Sequence, residues 1–344
     1  MEPVGRIIRG AAPEGVAEFL GRYPEIYMVY DSRAEVHAER IRKALLLSGA
    51  LRSVCSIETS EEGKTVGTVL ELEDWLLRSG ADRNALLFAV GGGITTDIAG
   101  FTACIYKRGI RFAFVPTTLL SQVDAAIGGK TGVNFRDYKN MLGIIRQPEF
   151  TYICPQVLDS LPYREFVAGS AEMLKTFIIS GGHDYRRAVG IFGEIWSKNG
   201  DFEGYGPDIQ ELVMKAAGVK AAIVSRDENE IGERRKLNLG HTFAHAIEHE
   251  ARLQGRDISH GEAVAIGIVQ AARLADEGFA EELKNDFDGC GLPTELPFSL
   301  ESLKDAMTLD KKAEGETVHF IVPYAIGDVR IVDLTVEEAV SRLI

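Results

Sequence analysis

In the first half of the chain the apolar residues come in short runs: IYMVY ending at Tyr30, SVCSI around Cys55, LLFAV ending at Val90 and FAFVP ending at Pro116. Between them lie stretches with apolar positions at helical spacing, such as Ala34 to Leu47. Short buried strands alternating with amphipathic helices predict a parallel sheet with helices on both faces. After Pro155 the texture changes, and helical spacing dominates over Ala168 to Ser180, Gln210 to Ile223, Thr242 to Leu253 and Glu262 to Glu277. One exception, VHFIVPYAIGDVRIVD near the C-terminus, predicts two short strands around an Ile-Gly-Asp turn. The pattern therefore predicts an α/β domain over residues 1–155 and a mostly α-helical domain over 156–344, with a ligand cleft expected between the halves.

Composition narrows the function more than the fold. With 344 residues and a formal net charge of -13, the chain carries no general excess of Lys and Arg, which argues against nucleic acid or an anionic membrane as partner. An anionic ligand must meet a local basic pocket. The four cysteines, Cys55, Cys104, Cys154 and Cys290, are scattered and suggest neither a disulfide framework nor a cysteine zinc site. The N-terminus, MEPVGRIIRGAAPEG, lacks an apolar signal core, and apolar runs such as AVAIGIV from Ala263 are too short to cross a bilayer. A cytoplasmic protein is expected.

Chemistry enters first at LLFAV followed by Gly91, Gly92 and Gly93 and then ITTDIAGF. A buried strand, a tight turn and a helix with free N-terminal amides can meet a pyrophosphate, so this segment points to a Rossmann-like dinucleotide site. Thr96 stands where a third glycine would complete the usual fingerprint. Asp31, directly after IYMVY, is placed either to accept hydrogen bonds from a ribose or to cap the next helix. Glu61 and Lys64, in TSEEGKT, reach toward an adenosine on one reading and form a solvated loop on the other.

Phe114 to Gln147 places Asp124, Lys130, Lys139 and Asn140 among Gly128, Gly129 and Gly132, where absent side chains allow a ligand to approach the backbone. Two cations, an acid and an amide suit a polyol or phosphate. The segment is not a P-loop, because Asp124 occupies the position of that motif's first glycine.

Farther along, His241 and His245 in LNLGHTFAHAIEHE are four residues apart in a helical pattern, so both imidazoles share one face. His260 opens another apolar helix, and Glu172 puts a carboxylate inside an apolar one. One Glu with two or three His makes an open metal site, and on spacing alone His245 belongs to it. Lys175, Lys220, Glu230, Arg234 and Asn238 add polar groups in flanking segments, so a mixed metal and anion site is expected.

GGGITTDIAGF, YKRG, PTTLLSQVDAAIGGKTG, KNMLG, AEMLK, LNLGHTFAHAIE, HGEAV and LDKK, in this order over nearly the whole chain, closely resemble the 3-dehydroquinate synthase family. The resemblance implies an NAD-binding α/β domain, a helical metal- and substrate-binding domain, Zn²⁺ or Co²⁺, and a homodimer. It implies conversion of a sugar phosphate, 3-deoxy-D-arabino-heptulosonate 7-phosphate, to 3-dehydroquinate and phosphate in the shikimate pathway, with NAD restored in each turnover. By the same resemblance the metal ligands are Glu172, His241 and His260, and His245 moves to the phosphate together with Lys130, Asn238 and one lysine of Lys311 and Lys312, here taken as Lys312. Arg108 would arrive from the partner subunit.

The resemblance further assigns Asp124, Lys139, Asn140 and Lys175 to the hydroxyls and Lys220 and Arg234 to the carboxylate, supported by Glu230. On the nucleotide side it implies Gly92, Gly93 and Asp97 at the pyrophosphate and Thr117 and Thr118 at the nicotinamide. Asp31, Glu61 and Lys64 fall at the adenosine, and Lys130 and Lys139 also fall within reach of the cofactor. Two departures stand out, Thr96 in the turn and the length of the link between His241 and His260. Rival readings are another sugar phosphate cyclase, a metal-dependent polyol dehydrogenase that accumulates NADH, and a binding protein without turnover. The pair Lys220 and Arg234 argues for a substrate that carries a carboxylate.

Overall fold

The computed structural model describes residues 5–46, 48–136, 138–201, 203–311 and 317–344. It divides into two compact units, Met1–Pro162 with Ile209–Ala217, and Tyr163–Asp208 with Gly218–Ile344. Among the described residues no helix is long and apolar enough to cross a membrane.

The strands of the first unit are β1 (Arg6–Arg9), β2 (Ile26–Asp31), β3 (Leu51–Ile57), β4 (Leu86–Gly91), β5 (Arg111–Pro116), β6 (Lys130–Phe135), β7 (Tyr138–Ile145) and β8 (Phe150–Ile153). Its helices include α1 (Ala17–Leu20), α2 (Glu35–Leu46), α3 (Val66–Arg78) and α4 (Gly93–Ile105). Six strands form one sheet in the order β1-β8-β5-β4-β2-β3, parallel throughout. The apolar runs become strands buried on both faces because successive side chains point to opposite sides. Met28, Phe88 and Val115 meet Leu20, Ile41 and Leu45 on one face, while Val29, Leu87 and Phe114 meet Val69, Leu72 and Ile98 on the other.

The strand order reverses between β2 and β4, since β3 follows on one side and β4 on the other. The carboxyl ends flanking a reversal are where open α/β sheets place ligands, and here they are Asp31 and Gly91. Two sheet strands had no signal in the apolar pattern, β1 and β8, each only four residues long. The glycine-rich segment after β5 is also more regular than expected, because β6 and β7 pair as an antiparallel hairpin.

The second unit holds α5 (Tyr163–Ser180), α6 (Gly182–Ser197), most of α7 (Gly206–Arg226), α8 (His241–Leu253), α9 (His260–Arg273), α10 (Glu277–Gly289), α11 (Leu300–Lys311) and α12 (Val336–Ser341). The helical stretch expected over Glu262 to Glu277 ends earlier: α9 stops at Arg273, and Asp276 caps α10 by accepting a hydrogen bond from the Phe279 amide. The two C-terminal strands form as expected, β9 (Val318–Ala325) and β10 (Asp328–Leu334) pairing antiparallel around Gly327 at φ +90.

Candidate metal centre and nucleotide turn

Helix α5 is apolar around nearly its whole circumference, from Phe166 to Ile178, so its side chains are shielded from water on every side. Within that environment sit Glu172, fully buried, and Lys175, one turn later and 1% exposed. A buried charge persists only when paired, and the Lys175 ammonium contacts the Glu172 carboxylate.

His241 and His260 each open a helix, α8 and α9. Glycines let the start of α9 approach α5 and the start of α8 approach the middle of α9. A Cβ on Gly261 would lie 1.9 Å from the Ala168 carbonyl oxygen, and one on Gly267 would lie 2.2 Å from that of Gly240. Gly240, at φ +80, turns the chain into α8. A capping box at Ser259 and Glu262 fixes the start of α9, and Arg164 on α5 clamps Glu262 and Asp257.

The result is a convergence of three donors. His260 Nε2 lies 3.3 Å and His241 Nε2 3.7 Å from Glu172 Oε1. Two donors each about 2.0 to 2.1 Å from one ion at tetrahedral angles stand roughly 3.4 Å apart, so the set fits a divalent metal. Among the described residues, neither Glu172 oxygen finds a hydrogen-bond donor of good geometry despite full burial. The other ring nitrogens are engaged: His241 Nδ1 faces Leu239 O at 3.2 Å, and His260 Nδ1 faces Glu248 Oε1 at 3.2 Å. Both Nε2 atoms are therefore the ones left for an ion.

Electrostatics separates the two imidazoles. Burial and the Lys175 charge push His241 down to about 3. Burial also opposes charge on His260, but the carboxylates of Glu248 and Glu172 outweigh it and raise His260 to about 10. For Glu172, burial works against ionisation, yet Lys175 and the histidines hold its carboxyl well below the usual range.

Of the remaining residues expected at this site, Lys220 on α7 and Arg234 are both buried, at 7% and 2% exposure. Arg234 lies in the turn Glu233–Asn238, which packs on α5. Asp227 organises the loop before it by accepting hydrogen bonds from the amides of Ile231, Gly232 and Arg234. The Arg234 guanidinium donates to Glu228 O at 2.5 Å. Glu230, held at φ +58, accepts from Asn238 Nδ2 at 2.6 Å. His245 is exposed and stands outside the three-donor cluster, its ring 5.6 Å from that of His241. Helical spacing groups His245 with His241 on α8 alone, whereas the third donor comes from α9. Lys312 lies outside the described residues.

In the first unit, β4 runs into Gly92, which starts α4 without any side-chain cap. The helix amides there face outward from the sheet's carboxyl end, as an anion site requires. Thr96 turns its hydroxyl back onto Gly93 O at 2.9 Å and is buried, so it fills the place of a third glycine without projecting into the turn. Thr117 follows β5, its amide on Gly91 O at 2.9 Å, and the Thr118 methyl would lie 3.1 Å from a Cβ on Gly92.

Glu61, Lys64, Asp97, Lys139 and Asn140 form one network. Lys64, 4% exposed, donates to Asp97 Oδ2 and Asn140 Oδ1, both at 2.5 Å. Asn134, which the sequence reading passed over, joins the rest, donating to Glu61 Oε1 at 2.8 Å and accepting from the Asn140 amide at 2.8 Å. Lys139 lies 4.0 Å from Glu61 Oε1. Asp124 sits in the π-helical turn Ser121–Ala125 and Lys130 opens β6.

Asp31 caps the turn that follows β2. Its carboxylate is engaged by Arg33 and Thr59; burial raises its pKa, but these partners hold it below the usual range. Arg108, at φ +69, is exposed just beyond the far end of α4 from the glycine turn.

The profile of 3-dehydroquinate synthase N-terminal domains matches residues 54–168, and that of the C-terminal domains matches 169–313. A 3-dehydroquinate synthase of Pyrococcus abyssi is 41% identical over 287 residues, covering 82% of this chain and 81% of the relative. One of Alkaliphilus metalliredigens is 37% identical over 344 residues, covering 96% and 93%. Among solved structures, the 2-epi-5-epi-valiolone synthase of Streptomyces hygroscopicus with NAD⁺ and Zn²⁺ bound superposes with a TM-score of 0.86 at 25% identity, over 100% of this chain and 97% of that one. The chain belongs to the 3-dehydroquinate synthase family.

Proposed function

We propose that this protein converts 3-deoxy-D-arabino-heptulosonate 7-phosphate to 3-dehydroquinate and phosphate, with NAD oxidising and then re-reducing the same molecule. The observation that carries the reading is the convergence of Glu172, His241 and His260 in a chain that belongs to this family. Those three residues would hold Zn²⁺ or Co²⁺, and a bound divalent ion supplies Lewis acidity at a substrate oxygen.

The chain's own groups bind and orient. Arg234 is fixed by Glu228 O and by the Asp227 loop, which makes its planar fork a pre-set partner for a carboxylate, and Lys220 supplies a second cation. Lys130, Asn238 and His245, with a lysine of the Lys311 and Lys312 pair, are assigned to the phosphate. Asp124, Lys139, Asn140 and Lys175 are assigned to the hydroxyls, with Glu230 holding Asn238 in place.

Gly92, Gly93 and Asp97 would receive the NAD pyrophosphate, Thr117 and Thr118 the nicotinamide end, and Asp31, Glu61 and Lys64 the adenosine, with Lys130 and Lys139 nearby. The uncapped start of α4 supports the first of these. Arg108 stands roughly 20 Å along α4 from the glycine turn, at 1.5 Å per helical residue. That separation supports its service to a second copy in a homodimer. The cytoplasm is the proposed location.

The test follows phosphate release and NADH absorbance together, with the heptulosonate phosphate, trace NAD and Zn²⁺ or Co²⁺. Many phosphates per NAD, no accumulating NADH and dehydroquinate as product are expected. NADH rising with turnover would instead identify a dehydrogenase, and no phosphate release would point to a different cyclase substrate.

A further inference from the structure

His260 is held at both ring nitrogens, with Nε2 3.3 Å from Glu172 Oε1 and Nδ1 3.2 Å from Glu248 Oε1. The Glu248 side chain is only 7% exposed. It lies seven residues after His241 on α8, two turns along the same face. One helix thus contributes a metal donor at its first residue and, two turns later, a buried carboxylate against the donor contributed by α9.

An ionised carboxylate only accepts hydrogen bonds, so its contact with Nδ1 requires a proton on that nitrogen and makes Nε2, which faces Glu172, the nitrogen at which a metal ion would replace a proton. His241 reaches the same state by a different means, since Leu239 O faces its Nδ1. The two supports differ in charge. A carbonyl sets the tautomer, whereas a carboxylate sets the tautomer and also strengthens the ring as a donor.

We propose that Glu248 is a positioning residue of the metal centre, holding His260 in its Nδ1–H form and raising the donor strength of its Nε2. The proposal rests on Glu172, His241 and His260 being the metal ligands. In this role Glu248 acts on the metal through His260.

The experiment titrates the full-length apoprotein with Zn²⁺ alone against a chromophoric chelator, for wild type, His241→Ala, Glu248→Ala and Glu248→Gln. Apoprotein melting temperatures and the visible spectra of the Co²⁺ forms are recorded alongside. Glu248→Ala should weaken Zn²⁺ about 10- to 100-fold, the range seen when a ligand loses its orienting partner. Glu248→Gln should fall between it and wild type, because the amide oxygen still accepts from Nδ1–H but carries no charge. The Co²⁺ spectrum of Glu248→Ala should change.

If His241→Ala abolishes Zn²⁺ binding while both Glu248 variants bind as wild type, the Glu248 proposal is wrong and the ligand assignment stands. If His241→Ala binds Zn²⁺ normally, the ligand assignment itself fails and takes the proposal with it. Should Glu248→Ala melt far below wild type as apoprotein, Glu248→Gln decides. Weakened Zn²⁺ binding at an unchanged apo melting temperature supports positioning, and wild-type binding overturns it.

Discussion

Gly261→Ala tests whether backbone contact between α9 and α5 sets the metal geometry. The added Cβ would lie 1.9 Å from Ala168 O, 2.4 Å from its carbonyl carbon and 2.6 Å from its Cα, all backbone atoms that no rotamer change can move. A carbon and a carbonyl oxygen approach comfortably only to about 3.3 Å, so the two helices must part by roughly 1.4 Å. His260 is the neighbouring residue and moves with the start of α9. A metal site tolerates shifts of about 0.2 Å in donor distance, so the 3.3 Å spacing between His260 Nε2 and Glu172 Oε1 would no longer serve one ion.

Overpacking of this kind costs about 1–3 kcal/mol of stability, and the displaced ligand should weaken the metal at least about tenfold. Zn²⁺ titration of the apoprotein and its melting curve measure both effects. Gly190→Ala on α6 is the control. Among the described residues nothing lies within 4 Å of the Cβ it adds, and alanine is favoured over glycine inside a helix by about 0.5–1 kcal/mol. Wild-type Zn²⁺ affinity in Gly261→Ala would refute the argument that this close approach fixes the distance between His260 and Glu172.

Lys175→Met should destabilise the apoprotein by up to about 3–5 kcal/mol, because it removes the ammonium paired with the buried Glu172 carboxylate and leaves His260 as its remaining cation. Added Zn²⁺ should recover more melting temperature in the variant than in wild type, and calorimetry with and without metal reads this directly. Arg234→Ala should lower kcat/KM about 10- to 150-fold, the equivalent of about 1.5–3 kcal/mol for a hydrogen bond to a charged group. NAD affinity by fluorescence titration should stay near wild type; a collapse there would move Arg234 out of the carboxylate role. His37 is buried in the first unit with Nε2 2.8 Å from Ser160 Oγ, and burial together with Arg40 lowers its pKa from 6.5. As pH falls below about 6.5 the unfolded chain takes up this proton first, so stability is lost toward acid, at no more than about 1.4 kcal/mol per pH unit. The fall in melting temperature from pH 7.5 to about 5.5 should be smaller in His37→Gln than in wild type, because the variant has no imidazole whose protonation favours the unfolded chain; an equal fall rules His37 out as its source.

Much of the first unit was legible because its signal is local. A strand buried on both faces must be apolar at every position, and IYMVY, LLFAV and FAFVP declare themselves on that ground. β1 and β8 are four residues each, too short for a period to emerge, and their place in the sheet is set by pairing with each other and with β5. The break between α9 and α10 was hidden because AARLADEGFAEEL keeps helical spacing across it, although Asp276 is a capping residue in plain sight. Likewise Ser259 and Glu262, three apart at the head of an apolar run, spell a capping box that marks where His260 stands.

The metal centre shows where local reading stops. Period 3.6 correctly puts His241 and His245 on one face of α8, but a ligand is selected by which neighbouring helix that face meets and at what depth. Gly240, Gly261 and Gly267 decide this, because approaches near 2 to 3 Å for an absent Cβ bring the start of α8 against the middle of α9 and the start of α9 against α5. The face toward α9 holds His241, with Glu248 two turns on, while His245 is left exposed. Glu248 had no sequence signal as a support, since a glutamate in an amphipathic helix reads as solvated until its partner on another helix is known. The information that separates His241 from His245 here lies in residues without side chains, and a reading that weighs only chemistry-bearing residues passes over them.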